Sequence, residues 1–273
     1  MKHTRKTLQA FTFVELLVVI AMLAVCAAAL FPAFARTKAP SLRVYCVNNL
    51  KGIAQAMQIW GQDHQDAFPS RVTVANGGYA DYLGLRVIAQ TQTAARGVFG
   101  DYACLSNELV SPKVLICPAE NESRLPATTF AGALSPGLTN AVPFTNDLNV
   151  SYFLGVDARQ INPRMLLTGD HNLGSDGNLV PNKGFCTAPF TYAPDFKVAL
   201  GTNFVANAGV GWLPTMHAAK GNIALADGSV LELTRIQLHQ ALMNSGDSVG
   251  GSSPFFPNPP WCFGANINRI QFP

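Results

Sequence analysis

The sequence predicts an α+β protein in which a long N-terminal helix packs on an antiparallel sheet whose strands are joined by long loops. Three observations lead to this prediction. The stretch from Phe11 to Ala35 is apolar except for Glu15. Residues 42–60 repeat apolar side chains at helical spacing. Near the C-terminus, two short apolar runs flank Asp227-Gly228, which is a strong hairpin signal.

The distribution of charge excludes one functional class. The formal net charge is +3, and Lys2, Arg5 and Lys6 account for it. The basic residues of the rest of the chain balance its 16 acidic residues. Proteins that bind nucleic acid usually present a basic patch or stripe to the phosphates. We therefore expect no nucleic acid partner.

The apolar stretch from Phe11 to Ala35 has three interpretations. It could be a cleaved signal peptide ending at Ala33-Phe34-Ala35, or a lipoprotein signal in which Cys26 is modified. The third interpretation is a retained transmembrane helix, which needs about 20 apolar residues. The stretch is too long for an ordinary signal peptide, and Val25 fits a lipoprotein signal poorly. The basic residues before it favour a cytoplasmic N-terminus, with the body outside the cytoplasm.

The residues around position 10 carry a family resemblance. A basic leader, a small residue and then Phe-Thr-Phe-Val-Glu before a long apolar helix resemble the signal of type IV pilins and type II secretion pseudopilins. The resemblance implies that prepilin peptidase cuts between Ala10 and Phe11 and methylates the new amino group of Phe11. The family usually has glycine before the cut, where this chain has Ala10. A pilin-like chain would comprise a leader at 1–10, a transmembrane helix at 11–35, a stem helix extension at 36–68 and an extracytoplasmic α+β head at 69–273.

The resemblance also implies a function and a location. The chain would be a structural subunit of a type II secretion pseudopilus or a type IV pilus-like filament, held in the bacterial inner membrane by a single span. Its body would be periplasmic, or at the cell surface within a filament. The implied partners are prepilin peptidase, other copies and other pseudopilins, the inner-membrane platform and membrane lipid. The alternative is a membrane-tethered module that binds, for example, polysaccharide and uses the signal only for export and anchoring.

Glu15 is the residue that most needs a role, because a charge inside an apolar helix is costly in a membrane. In the pilin family, the corresponding acidic residue is expected to neutralise the Phe11 ammonium of a neighbouring subunit. A buried pair of this kind would set the stagger of the subunits. The other role that stays open is that Glu15 extends to the cytoplasmic headgroups without taking part in assembly.

The body has readable elements at both of its ends. The first is an amphipathic helix whose apolar stripe should dock on the sheet: Leu42, Tyr45, Cys46, Leu50, Ile53, Met57 and Trp60. Proline and serine at 40–41 predict a break before this helix. Strands are predicted at 151–154, 164–168, 222–226 and 229–233, with short strands such as 114–116 among the loops between 70 and 165. Thr234 is expected to cap a short helix that ends near Gly246.

His217 and Asp227 have the H-x9-DG spacing, in which Gly228 follows the aspartate. This spacing resembles the domain that is named after the motif and found in prepilin-type proteins. A structural role is favoured, in which Asp227-Gly228 makes the turn and His217 bonds a loop before the first strand. A metal site with Asp170 and His171 is a second interpretation, and catalysis is a third.

The cysteines and the remaining polar residues give weaker signals. The chain has six cysteines and no C-x-x-C pair, so no thiol-rich zinc site is predicted. In an exported body, Cys46 and Cys117 are the suggested disulfide, because they flank the first part of the body. The metal content stays open, with Asp170, His171 and Asp176 as candidate ligands. Calcium would suit the oxygen-rich run 172–178, although that run lacks the EF-hand spacing. No other cofactor is expected, and no catalytic motif indicates an enzyme.

Overall fold

A computed structural model of the chain describes residues 12–81, 97–120, 124–131, 141–175, 197–200, 210–214, 216–245 and 268–272. The predicted processing residues Ala10 and Phe11 and the candidate ligand Asp176 lie outside these described residues. The chain divides into two compact units, Met1–Leu42 and Arg43–Pro273.

Helix α1 comprises Phe13–Gln62. It includes Pro40 and Ser41, so the predicted break at this point is wrong. Proline removes one helical hydrogen bond, but good helix formers on both sides let the helix continue through it. The side chains of residues 12–28 are exposed. Within the described part of the chain, no helix has both the length and the apolar character that a membrane crossing requires.

In the second unit, α1 buries a regular stripe of side chains. Its members, spaced alternately by four and three residues, are Cys46, Leu50, Ile53, Met57 and Trp60. All five belong to the predicted stripe, and they pack in one core cluster with Tyr152, Leu154 and Leu167 of the sheet. Tyr45 is 61% exposed, so its predicted burial is wrong. Cys46 belongs to the buried stripe, and residues adjacent in sequence do not share a helix face. Tyr45 therefore lies beside the stripe.

The described strands form a six-stranded antiparallel sheet of order β4-β8-β1-β2-β6-β7 and a separate two-stranded sheet of β3 and β5. The strands are β1 Tyr152–Gly155, β2 Leu166–Asp170, β3 Leu173–Ser175, β4 Lys197–Leu200, β5 Val210–Trp212, β6 Gly221–Leu225, β7 Val230–Leu233 and β8 Asn268–Gln271. The predictions of β1, β2, β6 and β7 are confirmed, whereas the other four strands were not predicted. The α+β class is likewise confirmed.

The six-stranded sheet is covered on both faces. Tyr152 and Leu154 belong to the core cluster that contains α1, whereas Phe153 between them belongs to a second cluster. This alternation follows from the two-residue period of a strand. Helix α4, Arg235–Asn244, contributes Leu238 and Leu242 to the second cluster. Its predicted start is confirmed, and the Thr234 backbone N–H donates to Gln237 Oε1 over 3.0 Å.

Short helices occupy much of the region between α1 and the sheet. They are α2 Phe99–Cys104, α3 Ser106–Leu109 and the 3₁₀ turns Pro69–Arg71, Val74–Asn76, Pro112–Leu115 and Asp147–Asn149. The strand predicted at 114–116 is therefore wrong. Pro112 suits the first turn of a helix, and Ser111 Oγ caps that turn by accepting the Lys113 N–H over 3.4 Å.

Candidate functional site

The start of α1 is closed by a reciprocal capping box between Thr12 and Glu15. Glu15 Oε2 accepts from the Thr12 backbone N–H over 2.8 Å and from Thr12 Oγ1 over 2.7 Å. In return, the Glu15 N–H donates to Thr12 Oγ1 over 3.3 Å. Threonine followed three residues later by glutamate is the sequence signature of this cap. This cap was not predicted, and it gives Glu15 a third role besides pairing with a neighbouring subunit and extending to the headgroups.

The helix that follows the cap presents large apolar side chains to the outside. Phe13 is 77% exposed and Val25 is 70% exposed. Between them, consecutive exposed residues cover every side of the helix, because successive side chains are rotated by about 100°. The exposed set is Phe13, Val14, Leu16, Leu17, Val18, Val19, Ile20, Met22, Leu23 and Val25. A helix that is apolar all round is typical of a segment that becomes buried in lipid or among other helices.

The Asp-Gly part of the H-x9-DG motif makes the turn between β6 and β7. Asp227 Oδ1 accepts from the Ser229 N–H over 2.9 Å and from Ser229 Oγ over 2.6 Å. Gly228 has φ +84°, a left-handed conformation in which side chains are disfavoured. Gln58 Nε2 of α1 donates to Ala226 O over 3.3 Å, so a hydrogen bond also connects the turn to the helix. This part of the predicted structural role agrees with the structure.

His217, the other end of the motif, lies elsewhere. Its Nε2 is 3.3 Å from Cys117 Sγ and 3.4 Å from Asp170 Oδ2. Cys117 lies in the loop that follows the 3₁₀ turn Pro112–Leu115 and precedes β1, and the His217 side chain is almost fully buried against it. The backbone here is left-handed: His217 has φ +50°, and the two alanines that follow have φ +53° and +60°. Arg43 Nη2 holds this left-handed turn by donating to His217 O over 3.0 Å.

A disulfide lies beside the histidine. Cys46 of α1 and Cys117 are joined, with their Cα atoms 5.2 Å apart, and both are fully buried. This is the pair that the sequence suggested. The bond ties α1 to the segment that follows the 3₁₀ turn Pro112–Leu115. We call the group formed by Cys46, Cys117, His217 and Asp170 the cysteine–histidine cluster.

Asp170 ends β2 and completes the cluster. Its Oδ2 accepts from the Asn222 backbone N–H over 2.7 Å and from Asn222 Nδ2 over 2.8 Å. Its Oδ1 is buried and has no hydrogen-bond partner among the described residues. Burial raises the pKa of Asp170 to about 7, although the Asn222 bonds act in the opposite direction. Burial, followed by the nearby Arg43 charge, lowers the pKa of His217, so the imidazole is neutral near pH 7.

His171 belongs to a different polar group. Its Nε2 lies 2.8 Å from Glu120 Oε2, and its Nδ1 lies 3.5 Å from Arg124 Nη2. Although Asp170 and His171 are adjacent in sequence, their side chains have different partners, as expected where successive residues of an extended chain point to opposite sides. Sequence proximity alone therefore did not identify a common metal site. The third candidate ligand, Asp176, lies outside the described residues.

Comparison with known proteins adds a finding on the N-terminus. Residues 5–31 match the family model of the prokaryotic N-terminal methylation motif. The matched segment contains Ala10, Phe11 and Glu15, the residues on which the resemblance to pilins rests. No curated protein matches the chain, and no solved structure matches it either. The chain therefore carries a type IV pilin-like signal for N-terminal processing and methylation.

Proposed function

We propose that this chain is a pilin-like structural subunit that assembles through its N-terminal helix. Prepilin peptidase would remove the leader at Ala10 and methylate Phe11, and the apolar helix would hold the subunit in the inner membrane until assembly. The filament would be a type II secretion pseudopilus or a type IV pilus-like fibre, with the α+β body outside the cytoplasm. The subunit would act by packing, without catalysis. The match of residues 5–31 to the methylation motif carries this proposal.

The exposed apolar surface of α1 supports assembly by helix packing. Ten large apolar side chains between Phe13 and Val25 are at least 44% exposed. Each large aliphatic side chain that leaves water contributes roughly 1.5–3 kcal/mol when burial is complete. Lipid covers such a helix before assembly, and the corresponding helices of other copies cover it in a filament. The partners of this surface are therefore membrane lipid and copies of the same chain.

Glu15 links the capping box to the assembly. The Thr12 backbone N–H and the Thr12 hydroxyl both donate to the Oε2 atom of Glu15, and a carboxylate has a second oxygen that accepts hydrogen bonds. In the filament, we assign Oε1 to the Phe11 ammonium of a neighbouring subunit. Glu15 then caps the helix of its own subunit and also fixes the axial position of the neighbouring subunit.

A pair of substitutions separates the two roles of Glu15. Glu15→Gln keeps the capping box, because glutamine also serves at this position, but removes the charge. Thr12→Ala removes the cap and keeps the charge. We expect Glu15→Gln to enter the membrane and fail to form filaments, whereas Thr12→Ala forms them. The measurements are membrane fractionation, filament yield by electron microscopy and mass spectrometry of the mature N-terminus.

The outcomes distinguish the proposal from its alternatives. A methylated Phe11 in wild-type filaments agrees with the proposal. Normal filaments from Glu15→Gln would show that the charge is dispensable and that Glu15 serves only as a cap. An unprocessed or lipidated product that never polymerises would favour a tethered binding module. A mature chain that begins at Arg36 would remove the proposal altogether.

A further inference from the structure

We propose that the cysteine–histidine cluster is a redox-controlled metal site. In the reduced chain, Cys46, Cys117, His217 and Asp170 bind one Zn²⁺ ion, and oxidation to the disulfide excludes the metal. This inference is independent of the proposed function, because it concerns only side chains of the body.

The donors form a set that suits zinc. Cys46 Sγ, Cys117 Sγ and His217 Nε2 lie within 4.8 Å of one another, and all three residues are buried. Two thiolates, an imidazole and a carboxylate are ligands of a tetrahedral zinc site. Thiolates also favour Zn²⁺ over the hard ions Ca²⁺ and Mg²⁺. This set of ligands was not predicted from the sequence, because its members lie far apart in the chain and none belongs to a C-x-x-C pair.

The observed distances match part of a tetrahedral arrangement. With Zn–S near 2.3 Å and Zn–N or Zn–O near 2.1 Å, ligand atoms are separated by roughly 3.6 Å for sulfur and nitrogen and by roughly 3.4 Å for nitrogen and oxygen. His217 Nε2 lies 3.3 Å from Cys117 Sγ and 3.4 Å from Asp170 Oδ2. The first distance is close to a sulfur–nitrogen edge of the tetrahedron. The second places the Asp170 carboxylate beside the imidazole, but the carboxylate does not lie within 4.8 Å of all three other donor atoms, so it must move toward the sulfur atoms to bind the same ion. The two sulfur atoms must move apart to roughly 3.8 Å, and reduction breaks the bond that holds them together.

Neighbouring groups hold the ligands in place. Asn222 fixes the Asp170 carboxylate with two hydrogen bonds, and Arg43 fixes the His217 backbone with another. Such outer contacts orient the ligands of metal sites. Asn222 occupies Oδ2 of Asp170, whereas Oδ1 is buried without a hydrogen-bond partner among the described residues, so Oδ1 is the carboxylate oxygen assigned to the ion.

The conversion between the two forms balances with one external reductant. A dithiol donates two electrons and two protons to the Cys46–Cys117 disulfide, and the dithiol itself becomes a disulfide. Zn²⁺ then displaces the two thiol protons, because thiolates are the ligands. Two thiolates, the Asp170 carboxylate and the ion carry a net charge of −1. The guanidinium of Arg43 lies close enough to interact electrostatically with Asp170 and His217, and it offsets this charge.

Metal content and cobalt spectroscopy test the proposal. The full-length chain in detergent is prepared oxidised, or reduced with a dithiol, then given Zn²⁺ or Co²⁺ and desalted. We expect one metal ion per reduced chain and none per oxidised chain. The cobalt form should show thiolate charge-transfer absorption in the near ultraviolet and the intense visible bands of a tetrahedral site. A reduced wild-type chain that stays folded by tryptophan fluorescence and binds no metal would overturn the proposal.

Variants identify the ligands. His217→Ala should weaken metal binding at least about tenfold. Cys46→Ser should abolish the charge-transfer absorption, whereas Cys104→Ser is the matched control and should leave it unchanged, because Cys104 is a free cysteine outside the cluster. Bound Zn²⁺ should also slow alkylation of Cys46 and Cys117 in the wild-type chain. Two results would show adventitious binding and refute the site. They are a metal content of the Cys46→Ser chain equal to that of the wild type, and an alkylation rate of Cys46 and Cys117 that Zn²⁺ does not change.

Discussion

Removal of the disulfide between Cys46 and Cys117 should lower the free energy of unfolding by about 4 kcal/mol. The two cysteines are 71 residues apart. In the loop-closure model, a cross-link over that distance removes roughly 15 cal/mol/K of entropy from the unfolded chain, or about 4.4 kcal/mol at 25 °C. The perturbation is the double substitution Cys46→Ala and Cys117→Ala, which replaces two buried side chains with small apolar ones and leaves no unpaired polar group.

Guanidinium denaturation of the oxidised full-length chain measures the difference. Tryptophan fluorescence reports on the transition, because Trp60 lies in the same core cluster as the disulfide. A metal chelator keeps the cluster free of ions in both chains. Cys104→Ala is the control, since Cys104 is not cross-linked, and its cost should stay within about 1 kcal/mol.

A loss below about 1 kcal/mol with an unchanged denaturant slope would refute this reasoning. Such a result would mean that the unfolded chain gains little freedom when the cross-link is removed. A changed slope would instead show that the compactness of the unfolded chain differs between the two proteins.

Three further substitutions test individual features of the body. Ala218→Gly should raise the free energy of unfolding in urea by about 0.5–1 kcal/mol, because Ala218 has φ +53° and glycine relieves left-handed strain; a less stable variant would contradict this. Gly228→Ala should cost about 1 kcal/mol or more, since φ is +84° and an added Cβ would lie 2.9 Å from the Gln58 side chain; an unchanged melting temperature would contradict it. Asp101→Asn should stabilise the chain near pH 7 by on the order of 1–3 kcal/mol, because both Asp101 carboxylate oxygens are buried without a hydrogen-bond partner among the described residues. Burial, followed by the charge of Asp147, raises the pKa of Asp101, so the folded state holds its proton more tightly than the unfolded state does. Stability of the parent chain therefore falls as pH rises above the unfolded pKa of about 3.9, and the gain from Asp101→Asn should shrink towards zero near pH 4; a gain that is independent of pH would contradict the assignment.

Features encoded in short contiguous segments could be predicted without coordinates. The processing signal is a continuous run of residues, and the comparison with known families agrees with it. The stripe on α1 follows from helical spacing, and the turn at Asp227-Gly228 follows from local backbone preferences. The capping box of Thr12 and Glu15 is equally local, since threonine and glutamate three residues apart are its signature, although it was not predicted.

Strands β3, β4, β5 and β8 escaped prediction for a different reason. Strand β8 pairs with both β1 and β4, although more than sixty residues separate it from either in the chain. Nothing in the spacing of its own residues identifies these partners. Strand propensity depends on burial and on neighbouring strands, so it becomes clear only when the sheet is assembled.

The cysteine–histidine cluster shows most clearly what the tertiary structure alone decided. His217 and Asp227 share a sequence motif, yet His217 contacts Cys117 across a separation of 100 residues, whereas Asp227 bonds Ser229. The turn is determined locally because backbone geometry and one side chain suffice to form it. The position of His217 depends on the packing of α1 on the sheet and on a left-handed turn held by Arg43. Residue types along the chain therefore supplied the donors, and only the fold brought them within reach of one another.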